Sequence, residues 1–125
     1  MAEKKILIIE KNDDVPENIT NSLRNEGFRI LPADKVNQAE IIINSNKPDL
    51  IIFDMNVASQ KSSKLWESFW TKLKIAKIPI ILLSESFNKE NLKKMIFFNG
   101  DEFLRKPFRN DDLIETVKKL LTSNN

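Results

Sequence analysis

A chain of 125 residues with 41% hydrophobic and 30% charged residues is long enough to bury one substantial core and too apolar to remain disordered, so a single domain over residues 1–125 is expected. Its 20 Lys and Arg are interspersed with 18 Asp and Glu, for a net charge of +2, and form no basic arm of the kind that tracks a phosphate backbone. With neither Cys nor His and only two Gly, the chain lacks disulfides, thiolate and imidazole chemistry, Cys/His zinc sites and the glycine-rich loops that cradle nucleotides, which leaves carboxylates, lysines and hydroxyls to carry any reaction.

Met1-Ala2-Glu3-Lys4-Lys5 leads into Ile6-Leu7-Ile8-Ile9, an apolar run too short for a signal-peptide core or a membrane span. A first strand and a cytoplasmic location are expected. Asp14-Val15-Pro16-Glu17 has the form of a capping box with proline in the first turn, and Val15, Ile19, Ser22, Leu23 and Glu26 follow at helical spacing until Gly27 ends the helix. Residues 28–31 predict a second strand, and Val36, Ala39, Ile42 and Ile43 a second helix. The run at 50–53 predicts a third strand. Leu65, Trp66, Phe69, Trp70 and Leu73 mark a third helix, and the four-residue spacing of the tryptophans predicts core packing rather than a binding box.

Residues 78–83 predict a fourth strand and 88–98 a fourth helix, ended by Asn99-Gly100. Phe97 and Phe98 are adjacent, so only one can face the sheet and the other joins an exposed apolar patch. Residues 102–105 predict a weaker fifth strand, and 110–121 a fifth helix opened by Asn110 or Asp111 as its cap. Lys89, Lys93, Lys94, Lys118 and Lys119 are expected to be solvated helix surface rather than a nucleic-acid face.

Continuous apolar runs, rather than alternating ones, predict parallel strands covered on both faces by helices. Five alternations of strand and helix predict a three-layer α/β sandwich with right-handed crossovers. Open sheets of this kind bind ligands outside the carboxyl ends of their strands. The polar residues there are Glu10, Lys11, Asn12, Asp54, Asn56, Ser84, Glu85 and Lys106.

Four segments carry a resemblance: Lys5-Ile6-Leu7-Ile8-Ile9-Glu10, Pro48-Asp49-Leu50-Ile51-Ile52-Phe53-Asp54-Met55-Asn56, Pro79-Ile80-Ile81-Leu82-Leu83-Ser84 and Gly100-Asp101-Glu102-Phe103-Leu104-Arg105-Lys106-Pro107-Phe108. Each alone is a weak signal; in this order and spacing, over nearly the whole chain, they resemble a response-regulator receiver. The resemblance implies a flavodoxin-like (βα)5 fold with a parallel five-stranded sheet of order 2-1-3-4-5. It implies that Asp54 accepts a phosphoryl group, that Lys106 pairs with the acceptor and then with phosphoryl oxygens, and that Ser84 donates a hydrogen bond to the phosphoryl group. Glu10, Asp54 and the Asn56 carbonyl would face Mg²⁺, an ion that prefers oxygen ligands.

Further implications are a cis Lys106–Pro107 bond, Phe103 as an aromatic switch coupled to Ser84, and a partner surface holding Phe97, Phe98, Phe103 and Phe108 on the fourth helix, fifth strand and fifth helix. A sensor histidine kinase or phosphotransfer protein would act upstream and a protein partner downstream. A homodimer is compatible with this pattern, whereas direct nucleic-acid contact, a membrane role and enzymatic activity beyond self-catalysed phosphotransfer and dephosphorylation are not expected.

Three positions depart from the family. Lys11 stands where a second acidic residue, a direct metal ligand, is usual; Ala58 replaces a proline, and Asn99-Gly100 a Gly-Ala. An ammonium cannot coordinate Mg²⁺, so metal affinity is expected to fall. Lys11 is able instead to reach toward Asp54, a pairing of about 4 kcal/mol at ~4 Å and an effective dielectric of about 20, before desolvation. Asp13 and Asp14 are poor substitutes, because the capping signature commits Asp14 to the helix start. The rival reading is therefore a phosphorylation-independent pseudo-receiver with Lys11 in the metal position. A small flavodoxin-like enzyme or binding protein is the reading from another class, and the scarcity of Gly and His counts against it.

Overall fold

The computed structural model describes residues 3–11, 15–57, 63–85, 93 and 100–122. Asn12, Asp13, Asp14, Ala58, Asn99 and, apart from the helical Lys93, the predicted fourth helix with Phe97 and Phe98 lie outside the described residues. A parallel sheet of five strands runs in the order β2-β1-β3-β4-β5, with β1 at Lys5–Ile9, β2 at Arg29–Ala33, β3 at Leu50–Asp54, β4 at Ile80–Ser84 and β5 at Glu102–Arg105. Helices α1 (Glu17–Asn25), α2 (Val36–Asn46), α3 (Ser63–Ala76) and α4 (Asn110–Thr122) are the four among the described residues. The expected flavodoxin-like order is thus observed.

The two-residue repeat of side-chain direction along a strand divides the core in two. Leu7, Ile9, Ile51, Phe53, Ile80 and Leu82 point to the face covered by Trp66, Phe69, Trp70 and Leu73 of α3 and Ala39 of α2. Ile6, Ile8, Leu50, Ile52, Ile81 and Leu83 point to the opposite face, against Ile19 and Leu23 of α1 and Leu113, Val117 and Leu120 of α4. The predicted packing of both tryptophans is observed: Phe53 meets Trp66 at 5.4 Å and Trp70 at 5.0 Å between ring centroids, edge to face in each case. Such pairs contribute about 0.5–1.5 kcal/mol beyond the area they bury.

Burial along the whole strand holds for β3 and β4, and for β1 beyond its first residue. It fails for the sheet's margins. Arg29 and Pro32 of β2 are exposed, and β5 alternates, with Phe103 and Arg105 outward. A proline is tolerated at such an edge because no ladder bond depends on its missing N–H. Leu65, expected to join the α3 core stripe, is instead 63% exposed; the stripe closes with Trp66, Phe69, Trp70 and Leu73 alone.

Two expected caps are also corrected. Pro16, not Asp14, sits at the N-cap of α1, where no side chain caps the helix, and Glu17 is its first helical residue rather than its third, so the capping box does not form. At the start of α4 the Arg109 carbonyl accepts the Asp112 and Leu113 N–H groups. Asn110 is not the cap; its side-chain amide reaches Ser22 Oγ of α1 at 3.1 Å. Gly27 does end α1, at φ +95°, a left-handed conformation open to glycine. Gly100 has a different role: a Cβ there would stand 2.7 Å from Leu82 Cγ, so its small size lets the chain enter β5 close against β4.

Candidate functional site

The carboxyl ends of β3 and β4 and the residue after β5 converge on one polar cluster. Asp54 closes β3 and Ser84 closes β4, and both are buried, at 1% and 3% exposure, at the end of an otherwise apolar run. A carboxylate so desolvated is costly unless paired. Here one oxygen, Oδ1, accepts the Asn56 N–H at 3.0 Å and the other accepts from the Lys106 ammonium. Asn56 reaches back because the chain turns into a short 3-10 helix, Met55–Val57, immediately after Asp54.

Lys106 is positioned from the backbone. Its N–H donates to the Ser84 carbonyl at 2.8 Å, extending the β4–β5 pairing one residue past the strand, and its bond to Pro107 is cis. The ammonium projects toward the end of β3, where it meets Asp54. Glu85, directly after Ser84, completes the rim: its Oε1 accepts from the Asn56 side-chain amide at 3.2 Å and lies 3.9 Å from Lys106 Nζ. The sequence places Glu85 among the strand-end polar residues but gives no sign of this bridge, which depends on how far apart β3 and β4 end.

At the end of β1 the outcome is mixed. Glu10 Oε2 accepts the Val15 N–H at 2.7 Å, so this carboxylate oxygen holds the approach to α1. Lys11 is exposed and lines a groove with Asp34, Glu40, Val57, Leu65 and Trp66; the ammonium paired with Asp54 is that of Lys106. Phe103, expected as an aromatic switch and part of a partner surface, is 41% exposed on the edge strand. Phe108 is half-buried against the α1 and α4 side of the core and lines a recess with Val15, Pro16, Ile19, Lys106 and Pro107, away from an outward patch.

The profile of the response regulator receiver domain matches residues 6–118. This chain belongs to the response-regulator receiver family. Its similarity to the phosphate regulon transcriptional regulatory protein PhoB of Pseudomonas aeruginosa is 28% identity over 97% of this chain and 53% of that protein. With the cell cycle response regulator CtrA of Brucella ovis it is 23% over 94% of this chain and 50% of that one. The receiver thus spans about half the length of these curated relatives. Among solved structures, a two-component response regulator from Clostridium difficile superposes with a TM-score of 0.80 at 25% identity, covering 98% of this chain and 99% of that one. The chemotaxis protein CheY4 of Vibrio cholerae superposes at 0.77 with 19% identity, covering 96% of this chain and all of that one (100%), a likeness of fold alone.

Receivers imply Mg²⁺, and the donors described here are oxygen ligands of the kind it takes, with a cation, Lys11, at one further position. Among the described residues no group of three carboxylate, imidazole or thiolate ligands lies together. Glu10 gives an oxygen to Val15, Asp54 gives one to an ammonium, and the next candidate position holds Lys11. Mg²⁺ keeps several waters and is commonly held by one or two carboxylates, so Glu10, Asp54 and the Asn56 carbonyl would hold it, without the further carboxylate that the family usually places at position 11. No helix among the described residues is long and apolar enough to cross a membrane.

Proposed function

We propose that this domain, one receiver over residues 1–125, accepts a phosphoryl group on Asp54 from a sensor histidine kinase or phosphotransfer protein and thereby switches a protein-interaction surface. The observation that carries this reading is the buried Asp54 carboxylate held between the Lys106 ammonium and the Asn56 N–H. An Asp54 oxygen attacks phosphorus, the P–N bond of the donor phosphohistidine breaks, and the imidazole nitrogen keeps the electron pair and takes a proton. An acyl phosphate remains on Asp54. Charge on the transferring phosphoryl oxygens is met by Lys106, already aimed at the acceptor, and a fixed dipole or cation in a desolvated site is the most effective form of such stabilisation. Ser84, buried at the neighbouring strand end, supplies the hydroxyl for a phosphoryl oxygen.

In this reading Phe103 relays the change to the surface around β5 and α4, where a downstream protein or a second copy of the domain binds. The domain acts in the cytoplasm and does not contact nucleic acid itself. Incubation with a phosphodonor followed by hydroxylamine tests the chemistry: an acyl phosphate is cleaved, whereas an adduct that survives the reagent overturns Asp54 as acceptor.

One observation favours a second reading, the pseudo-receiver. A cation, Lys11, stands where the family usually has an acidic metal ligand, as expected of a domain whose pocket no longer takes up phosphoryl groups. That reading predicts no adduct in the wild type with Mg²⁺ and an adduct in Lys11→Asp.

A further inference from the structure

We propose that Glu85 gates the pocket: it is an anionic latch across the mouth that slows the arrival of phosphoryl groups at Asp54. The proposal rests on the reading of Asp54 as acceptor and assigns Glu85 as a positioning residue for the same site.

The latch joins two strand ends. Glu85 follows β4, Asn56 follows β3, and the Asn56 amide donates to Glu85 Oε1 at 3.2 Å. The same oxygen lies 3.9 Å from Lys106 Nζ. Asp54 is buried at 1% exposure, the Lys106 side chain is 14% exposed and that of Glu85 is 64% exposed, so along the Lys106 stem the order from interior to solvent is acceptor, ammonium, latch. One ammonium is therefore shared between a buried carboxylate that must be neutralised and a rim carboxylate that need not be.

A phosphoryl donor arrives as a dianion, and its oxygens need the ammonium that Glu85 shares. They also meet the Glu85 charge on the way in. Entry requires Glu85 to release both Lys106 and Asn56. Because its side chain is mostly solvated, the release is easy, and the device is a brake rather than a block. The same charge acts on the acyl phosphate once it has formed, favouring its loss.

The test compares the wild type with Glu85→Gln, which keeps the size and the hydrogen bond to Asn56 but removes the charge. The initial rate of adduct formation with acetyl phosphate, read by intact mass, should rise roughly two- to fivefold in Glu85→Gln, the range expected of an exposed charge pair. The difference should shrink toward unity at ~1 M salt, where the screening length falls to about 3 Å. A merely structural role for Glu85 would not produce that salt dependence. In parallel, the affinity for inorganic phosphate, followed through the Lys106 backbone amide resonance, should tighten by a similar factor. Equal rates and equal phosphate affinities in the two proteins, or a gain that salt leaves untouched, overturn the latch. If neither protein forms an adduct while phosphate affinity still rises in Glu85→Gln, Glu85 stands as an anionic barrier at the pocket mouth, and the acceptor reading, with the part of the proposal that rests on it, falls.

Discussion

The two ends of the sheet use the same residue type for opposite purposes. At the amino end, Asp49 precedes β3 and its Oδ2 accepts the Lys5 N–H at 2.8 Å, while its own N–H donates to the Lys5 carbonyl at 2.8 Å. Asp101 precedes β5 and grips Ile80 in the same way, at 2.8 Å in both directions. These aspartates brace the starts of β1 and β4. At the carboxyl end, Asp54 is held by one backbone N–H and one ammonium. The difference lies in the partner. A backbone N–H at a strand end is fixed in place, whereas an ammonium on a flexible stem can move from a carboxylate to the oxygens of a phosphoryl group, and only the second kind of pairing leaves the carboxylate available for chemistry.

Breaking the carboxyl end should cost most. Lys106→Ala leaves a buried carboxylate without its cation and should lower stability by about 3–5 kcal/mol in denaturant unfolding. Replacing Asp54 with Ala in that background should return much of the loss; a double variant as unstable as the sum of the single ones would mean that the two side chains do not act on each other. Next comes the entry to β5: Gly100→Ala forces Leu82 to move within a filled core, at about 1–3 kcal/mol, checked by the same unfolding curves. The amino-end braces rank third. Asp49→Ala or Asp101→Ala should each cost about 1.5–3 kcal/mol, the scale of hydrogen bonds to a charged acceptor, toward its lower end at these part-buried strand starts, and should leave the rate of adduct formation at Asp54 unchanged, which sharpens the contrast between the two ends. Phe103→Ala, at an edge position already 41% exposed, should cost under about 1 kcal/mol, so a large loss of stability would place that ring in the core after all.

Much of this arrangement is legible in the sequence. The inner strands announce themselves because apolar runs such as 50–53 have no polar face to spare, and the Trp66–Trp70 spacing reads as a packed stripe. The convergence of Asp54, Asn56, Ser84 and Lys106 follows from their common place after apolar runs. What stays hidden depends on tertiary distance. Leu65 fits the periodic pattern of α3 yet falls outside its contact with the sheet, and Asp14-Val15-Pro16-Glu17 fits a capping box, whereas the helix starts two residues later, with Pro16 as its N-cap and Glu17 as its first residue. The second task of the Glu10 side chain, accepting the Val15 N–H on one of its oxygens, is likewise not legible in the sequence. Asp49 and Asp101 look like loop residues, because nothing local reveals the neighbouring strand whose first N–H each will meet.

On the proposed reading Asp54 is a phosphoryl acceptor rather than a retained relic of the family. The most direct measurement is the intact mass of the wild type and of Asp54→Asn after incubation with acetyl phosphate, with and without Mg²⁺. One added phosphoryl group in the wild type and none in Asp54→Asn is the predicted result. A wild type that gains nothing under either condition, or an adduct that persists in Asp54→Asn, would contradict it.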